Sequence, residues 1–322
     1  MATRSDDLID RIAASYQAFA AEASGRSPQY EELALAVARD AAILAFLAEL
    51  PTAKRQPNLL FAAAAYLLRA APDLAALRTL LSRRRTDLVG TMMARRTQTN
   101  EPARCATLLP ALALLPEPLA LVEVGASAGL TLLPDRYSYD YDGHRVPGTD
   151  PDAPVLECQP RGPVPLPARV PEVAWRAGLD LNPLDVTSDD DVRWLECLIW
   201  PGETGRQERL RAAIETARRD PPPLYQGDLL TDVPDLIRQA PGGATVVIYH
   251  TAVLGYVRRP DRAGFARAVR DLGAVWLSNE GTGLLPGIAV PERGAHGFIL
   301  VKDGTVPIAV TDSHGTWLEW LS

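Results

Sequence analysis

Residues 119–131 read LALVEVGASAGLT. The run from Leu119 to Val124 is apolar except for Glu123 and ends at a glycine, the pattern of a buried parallel strand entering a tight turn. Gly125-Ala126-Ser127-Ala128-Gly129 then admits two readings. As G-x-S-x-G it is a nucleophile elbow, with Ser127 attacking an ester. As a glycine loop opened by Glu123 it cradles a nucleotide, and Ser127 is only a small residue within it. Both readings need a strand before the loop and a helix after it, so the rest of the chain has to decide.

Upstream, residues 1–115 read as helices, with no strand-like alternation and no fixed repeat. Pro28, Pro57 and Pro72 sit at or near helix starts, and Asn100 is positioned to cap a further helix running to about Leu115. Downstream, 116–322 alternates strands with helices, which implies a mostly parallel sheet covered on both faces. Strands are expected in VAWRAGLD, PPLYQGD, ATVVIYH and AVWLSNEG, and GFILVKDGTVPIAVTD adds a closing antiparallel hairpin turning at Asp303-Gly304. GLTLLPDRY should begin as the helix after the glycine loop. Between it and Pro171 lies a proline-rich insertion at about 134–172, where Tyr137, Tyr139 and Tyr141 alternate ahead of an Asp142-Gly143 hairpin turn. Two domains follow: a helical cap, 1–115, and an α/β domain, 116–322.

The order of elements favours the nucleotide reading. A hydrolase elbow sits after several strands with an oxyanion loop upstream. Here the loop follows the first strand, and no His-Gly-Gly segment precedes it. A Ser-Asp-His order can be assembled from Ser127 with Asp228 and His250, or with Asp312 and His314, but an acidic chain supplies such orders by chance. The nucleotide reading instead requires an acid at the end of the second strand, to accept ribose hydroxyls. Asp142 has the usual spacing but lies in the hairpin. Asp180, in GLDLNP, has the better context, and the insertion accounts for its distance. Its alternative role is to cap the turn before Asn182-Pro183. Asp228, ending the third strand, is placed for a base amine or for a turn.

A net charge of −7 argues against a nucleic-acid backbone as partner. Lys54 and Lys302 are the only lysines, so arginine carries the positive charge. Cys105, Cys158 and Cys197 are scattered and form no C-x-x-C pair, so buried thiols in a reducing cytoplasm are expected rather than disulfides or a metal site. Prolines interrupt the longest apolar run, and no membrane span or signal peptide is expected. The sequence does not set an oligomeric state.

Glu123-Val-Gly125-Ala-Ser127-Ala-Gly129, Gly178-Leu-Asp180-Leu-Asn182-Pro183 and Gly227-Asp228 resemble the first three motifs of class I S-adenosylmethionine-dependent methyltransferases. The whole chain also resembles a bacterial, actinobacterial-type family of uncharacterised proteins with a methyltransferase-like core. Its recurring segments appear here as RQPNLLFAAAAYLL, TQTNEPARC, VGASAGL, DRYSYDYDG, GLDLNPLDV, IYHTAVLGY and DSHGTWLEW. The resemblance implies a Rossmann-like, seven-strand sheet ending in an antiparallel hairpin, with the helical domain over the cofactor face. It implies S-adenosylmethionine as cofactor, held by Glu123, Gly125, Ala126, Ser127, Gly129, Asp180, Leu181, Asp228 and Leu229, with Arg104 toward the methionine carboxylate or in a surface ion pair. Ser127 departs from the family loop, where the middle residue is glycine.

For a methyl transfer to a small molecule, alignment of the reactants matters most, and a base is needed only if the nucleophile must lose a proton. His250, ending the fourth strand, is the candidate base; its alternative is to order the TAVLGY turn. Tyr141 and Asp140 are further catalytic candidates, in a lid or in a half-buried hairpin face. Gln98, Asn100, Tyr137, Asn279 and Glu280 are candidate substrate contacts. A serine hydrolase using Ser127 and a non-catalytic S-adenosylmethionine-binding module remain the alternatives.

Overall fold

The computed structural model describes residues 4–288 and 297–321, and it divides the chain into two compact units. The first unit takes Met1–Thr99 and Asp189–Glu208, the second Asn100–Ser188 and Arg209–Ser322. The boundary therefore falls earlier than residue 115, and a later stretch of chain returns to the helical unit.

The first unit contains α1 (Arg4–Ala23), α2 (Pro28–Val37), α3 (Ala41–Glu49), α4 (Pro57–Leu68), α5 (Leu74–Arg83) and α6 (Arg85–Ala94). Pro28 and Pro57 occupy first-turn positions where a missing N–H costs nothing. The Asp40 carboxylate caps α3 by accepting from the N–H groups of Ala42 and Ile43, both at 3.0 Å. Phe61 of α4 is the hub of the core, with the rings of Tyr16, Phe19 and Tyr30 centred 4.9–5.9 Å away. The returning stretch carries α8 (Asp189–Cys197) and is anchored by two indoles: Trp194 donates to Arg96 O at 2.9 Å and Trp200 to Asn58 Oδ1 at 2.7 Å. By sequence, residues 189–208 fall within the α/β stretch 116–322, and nothing in their periodicity signals the unit they join.

The second unit is built on a nine-stranded sheet of β1 (Leu119–Val124), β5 (Gln159–Arg161), β6 (Val173–Asp180), β7 (Leu224–Gln226), β8 (Thr245–Thr251), β9 (Val275–Gly281), β10 (Phe298–Lys302), β11 (Val306–Thr311) and β12 (Trp317–Trp320), in the order β5-β12-β11-β10-β9-β8-β1-β6-β7. The strands β7-β6-β1-β8-β9 are all parallel. Numbered along the chain they run third, second, first, fourth, fifth, which is the doubly wound order and reverses between β1 and β8. β10 and β11 form the expected antiparallel hairpin.

Nine strands replace the expected seven because β12 and β5 extend the hairpin edge. Both are short, and β5 contains Pro160, which an edge strand tolerates. One face of the sheet buries Val122, Val124, Ile248 and Trp276 under Phe265 and Val269 of α11 (Arg259–Asp271) and Leu236 of α10 (Val233–Ile237). The other buries Leu119, Leu121, Val247, Tyr249 and Leu277 under Leu108 and Leu112 of α7 (Arg104–Ala113). The helix α9 (Thr204–Arg219) begins in the first unit and ends in the second.

Two local expectations are corrected. The glycine loop leads not into an α-helix but into one 3-10 turn, Leu130–Leu132. The carbonyls that would propagate a helix are taken by side chains: Tyr137 OH donates to Leu130 O at 2.7 Å, Tyr249 OH to Thr131 O at 2.9 Å and Arg176 Nη1 to Leu132 O at 2.7 Å. Pro134 follows at once. Similarly, α7 starts at Arg104 rather than after Asn100, because the Asn100 side chain is engaged elsewhere: its Oδ1 accepts from Leu130 N at 2.8 Å.

In the insertion, β2 (Ser138–Tyr141) pairs with β3 (His144–Val146) across a turn where Asp142 and Gly143 both have positive φ, 51° and 94°. β4 (Val155–Glu157) completes this second, three-stranded sheet.

Candidate functional site

In open α/β sheets ligands collect at the carboxyl ends of the strands where strand order reverses. Here that point is the end of β1 and β8, so it lies between the glycine loop and the segment from Thr251 onward. The loop turns through three left-handed residues, Gly125 (φ 73°), Ser127 (φ 53°) and Gly129 (φ 72°). Ser127 has no glycine's freedom, and an L-residue in that region costs about 1–2 kcal/mol. Its backbone is held on both sides: its N–H donates to Asp180 Oδ2 at 2.8 Å and its carbonyl accepts from Leu184 N at 3.0 Å. Gly178 permits this close packing, since a Cβ there would lie 2.6 Å from Ala126 Cβ.

The loop's donors are largely used within the protein. Gly125 and Ala126 donate to Leu179 O, Ser127 to Asp180, Gly129 to Ala126 O and Leu130 to Asn100. Asp180 accepts from Ser127 N through one oxygen and from Asn182 N through the other, at 2.8 Å each. It therefore performs the turn-capping role. Ala126 and Ala128 point inward, and Ser127 is only 4% exposed.

Strand parity sorts the polar side chains at this edge onto two faces. On the α7 face lie Glu123, Thr251 and Asn279, joined by Arg104 and Thr107 from α7. Glu123 is 1% exposed. The Thr131 hydroxyl donates to its Oε1, and its Oε2 has no partner. Burial pushes the Glu123 carboxyl up to about 8, against the opposing pull of the Thr131 bond and the Arg104 charge. Arg104 donates through Nε to Ser313 O at 2.8 Å and approaches Thr251 at 3.4 Å. Asn279 Oδ1 accepts from Thr311 Oγ1 at 2.8 Å.

On the opposite face His250 is fully buried. Its Nδ1 lies 2.7 Å from Glu280 Oε1, its Nε2 has no partner, and its ring packs against Phe265 and Trp276. The Glu280 carboxylate also accepts from Val253 N at 2.8 Å and Leu254 N at 3.1 Å. It thereby fixes the segment after β8, in which Ala252 has a positive φ of 59°. Val253 in turn fills the space beside Gly125.

Glu123, Asn100, Arg104 and Asn279 thus come together on one face, and His250 with Glu280 on the other. Asp228 is exposed, after β7, with its Oδ1 accepting from Leu230 N at 2.9 Å; Leu229 follows it, half-buried, and Leu181 is exposed beside Asp180. Tyr137 and Tyr141 are buried, and their hydroxyls donate to Leu130 O and Ala106 O, both at 2.7 Å. Asp140 accepts from Gly143 N at 2.7 Å in its hairpin turn, which with Arg145 holds its carboxyl below the usual range. Gln98 belongs to the first unit, in a segment without regular secondary structure before Thr99. Sequence reasoning passed over Thr107, Thr131, Thr251, Ser278 and Thr311. The parity of β8 and β9 would have exposed Thr251 and Ser278; the others reach the cluster only through tertiary packing.

A family model described as an uncharacterized protein conserved in bacteria (DUF2332) matches residues 13–320. No curated protein and no solved structure gives a match. No helix among the described residues is long and apolar enough to cross a membrane.

Proposed function

We propose that this chain, which belongs to the bacterial DUF2332 family, is an S-adenosylmethionine-binding, methyltransferase-like protein acting on a small molecule. One observation carries the reading: a glycine loop follows the central strand at the point where the doubly wound order reverses. The donor set narrows the ligand. With the N–H groups of Gly125, Ala126, Ser127, Gly129 and Leu130 bonded internally, and no α-helix N-terminus after the loop, the loop is poorly equipped for a phosphate. S-adenosylmethionine carries ribose hydroxyls and a cation but no phosphate.

Asp180, at the end of β6 beside the loop, would take the ribose hydroxyls. Glu123, which burial keeps protonated at neutral pH, would offer its unpartnered oxygen near the methionine end, and Arg104 would supply positive charge there. When bound, the cofactor supplies an electrophilic sulfonium methyl. The chain's own task is to orient the acceptor and exclude water, which supplies most of what a direct displacement requires. His250, closed off from solvent and paired with Glu280, would act by holding the Val253–Leu254 segment over the loop.

The positive φ of Ser127 is a trait that the hydrolase alternative also calls for. Burial of Ser127 and the 3-10 turn after it count against that chemistry. Native mass spectrometry of the purified chain tests the proposal. S-adenosylmethionine or its demethylated product should be retained, whereas Ser127-dependent labelling by a fluorophosphonate would favour the hydrolase.

A further inference from the structure

Beside the glycine loop lies a pocket of about 250 Å³, outside the two polar faces described above. Its walls come from Ala128 of the loop, from Leu184 and Val186 after β6, and from Leu224 at the start of β7. Pro183, Pro221 and Pro222 complete it. Prolines carry no N–H, and two of the neighbouring backbone groups are already used. Leu184 N donates to Ser127 O, and Val186 O accepts from Arg218 Nε at 2.7 Å. Apart from Asp185 the lining side chains are apolar, and a guest meets them by apolar contact.

Size narrows the guest further. A dry cavity of about 150 Å³ already takes benzene, whereas drug-sized sites run to about 300–1,000 Å³. A single aromatic ring with a short side chain fits between these limits. The charged lining residue is Asp185, which is exposed. Thr187 donates to its Oδ1 through both N–H and hydroxyl, and these bonds hold the carboxyl below its usual range. The pocket thus combines mostly apolar side chains with one carboxylate.

We infer that this pocket is a binding site for a small aryl-alkyl ammonium ion, its ring against the prolines and its ammonium toward Asp185. The site is coupled to the glycine loop by construction. Leu184 bonds the Ser127 carbonyl at 3.0 Å, and a Cβ on Gly129 would come within 2.7 Å of Pro222 Cγ. The inference does not depend on the cofactor reading.

The test is a titration of the full-length, methyl-labelled chain, without cofactor, by phenethylamine, phenethyl alcohol and phenylacetate in turn. Phenethylamine should move the methyl signals of Ala128, Leu184 and Val186 and bind at least about tenfold more tightly than phenylacetate, by charge complementarity. Asp185→Asn keeps the acceptor for Thr187 on an exposed residue, so the fold is retained, and it should bring the three probes to within about threefold of one another. Unmoved methyl signals, equal binding of phenylacetate and phenethylamine, or a charge preference that survives Asp185→Asn would each overturn the inference.

Discussion

Val253 occupies the space that a side chain on Gly125 would need: a Cβ at Gly125 would lie 2.4 Å from Val253 Cγ2. The loop after β1 and the segment after β8 therefore press together at the point where strand order reverses. Gly125→Ala meets two penalties, a left-handed φ of 73° and this collision. Together they should cost about 2–4 kcal/mol. Adding Val253→Ala should relieve the steric part and leave about 1–2 kcal/mol. A double-mutant cycle by urea unfolding measures the coupling, and strict additivity would refute the contact.

Glu280 holds that segment in place through Val253 N, Leu254 N and His250. Glu280→Gln leaves at least one of these donors without an acceptor, at a cost of about 1–3 kcal/mol. Amide exchange at Val253 and Leu254 should accelerate, while exchange in β1 accelerates no more than the loss of global stability allows. Unchanged protection at both amides would show that the carboxylate does not anchor the segment.

Glu123 gives a pH dependence of definite sign. Its carboxyl is pushed up to about 8 from an ordinary 4.5. Between these values the folded chain retains a proton that the unfolded chain releases. Its contribution to stability is therefore full below the ordinary value and falls as pH rises through this window. The slope is at most about 1.4 kcal/mol per pH unit, levelling off above the folded value. The difference between wild type and Glu123→Gln, taken from urea unfolding at about pH 5 and about pH 8, isolates this term. A difference that does not change with pH would contradict it.

Asp180 bridges the loop and the turn after β6. Asp180→Asn keeps one acceptor but turns an amide toward a backbone N–H, so about 1–3 kcal/mol of stability should be lost. The Ser127 and Asn182 amide signals should shift together in an NMR spectrum. Movement of one without the other would break the bridge into two independent turns.

The sequence made the parallel core legible because β1, β6, β8 and β9 are apolar runs bounded by turn residues, and because Asp142-Gly143 and Asp303-Gly304 mark hairpins. It did not reveal the fate of Leu130–Leu132, where helical spacing was present but tyrosine and arginine side chains from distant segments claim the carbonyls. β12 and β5 were hidden by their shortness, and the return of Asp189–Glu208 to the helical unit by its dependence on two tryptophan contacts. In the site, Glu123, Asp180, His250 and Glu280 stood out as polar residues at strand ends. Their partners did not, because a threonine hydroxyl announces nothing until packing brings it within reach.

The central claim is that the loop at the end of β1 serves S-adenosylmethionine. Isothermal titration calorimetry of the full chain with S-adenosylmethionine and with its demethylated product tests it most directly. The account predicts one-to-one binding of both, weakened at least about tenfold by Asp180→Ala through loss of charge-assisted bonds to the ribose. Absence of binding by either ligand to the folded protein, or affinity unchanged in Asp180→Ala, would contradict it.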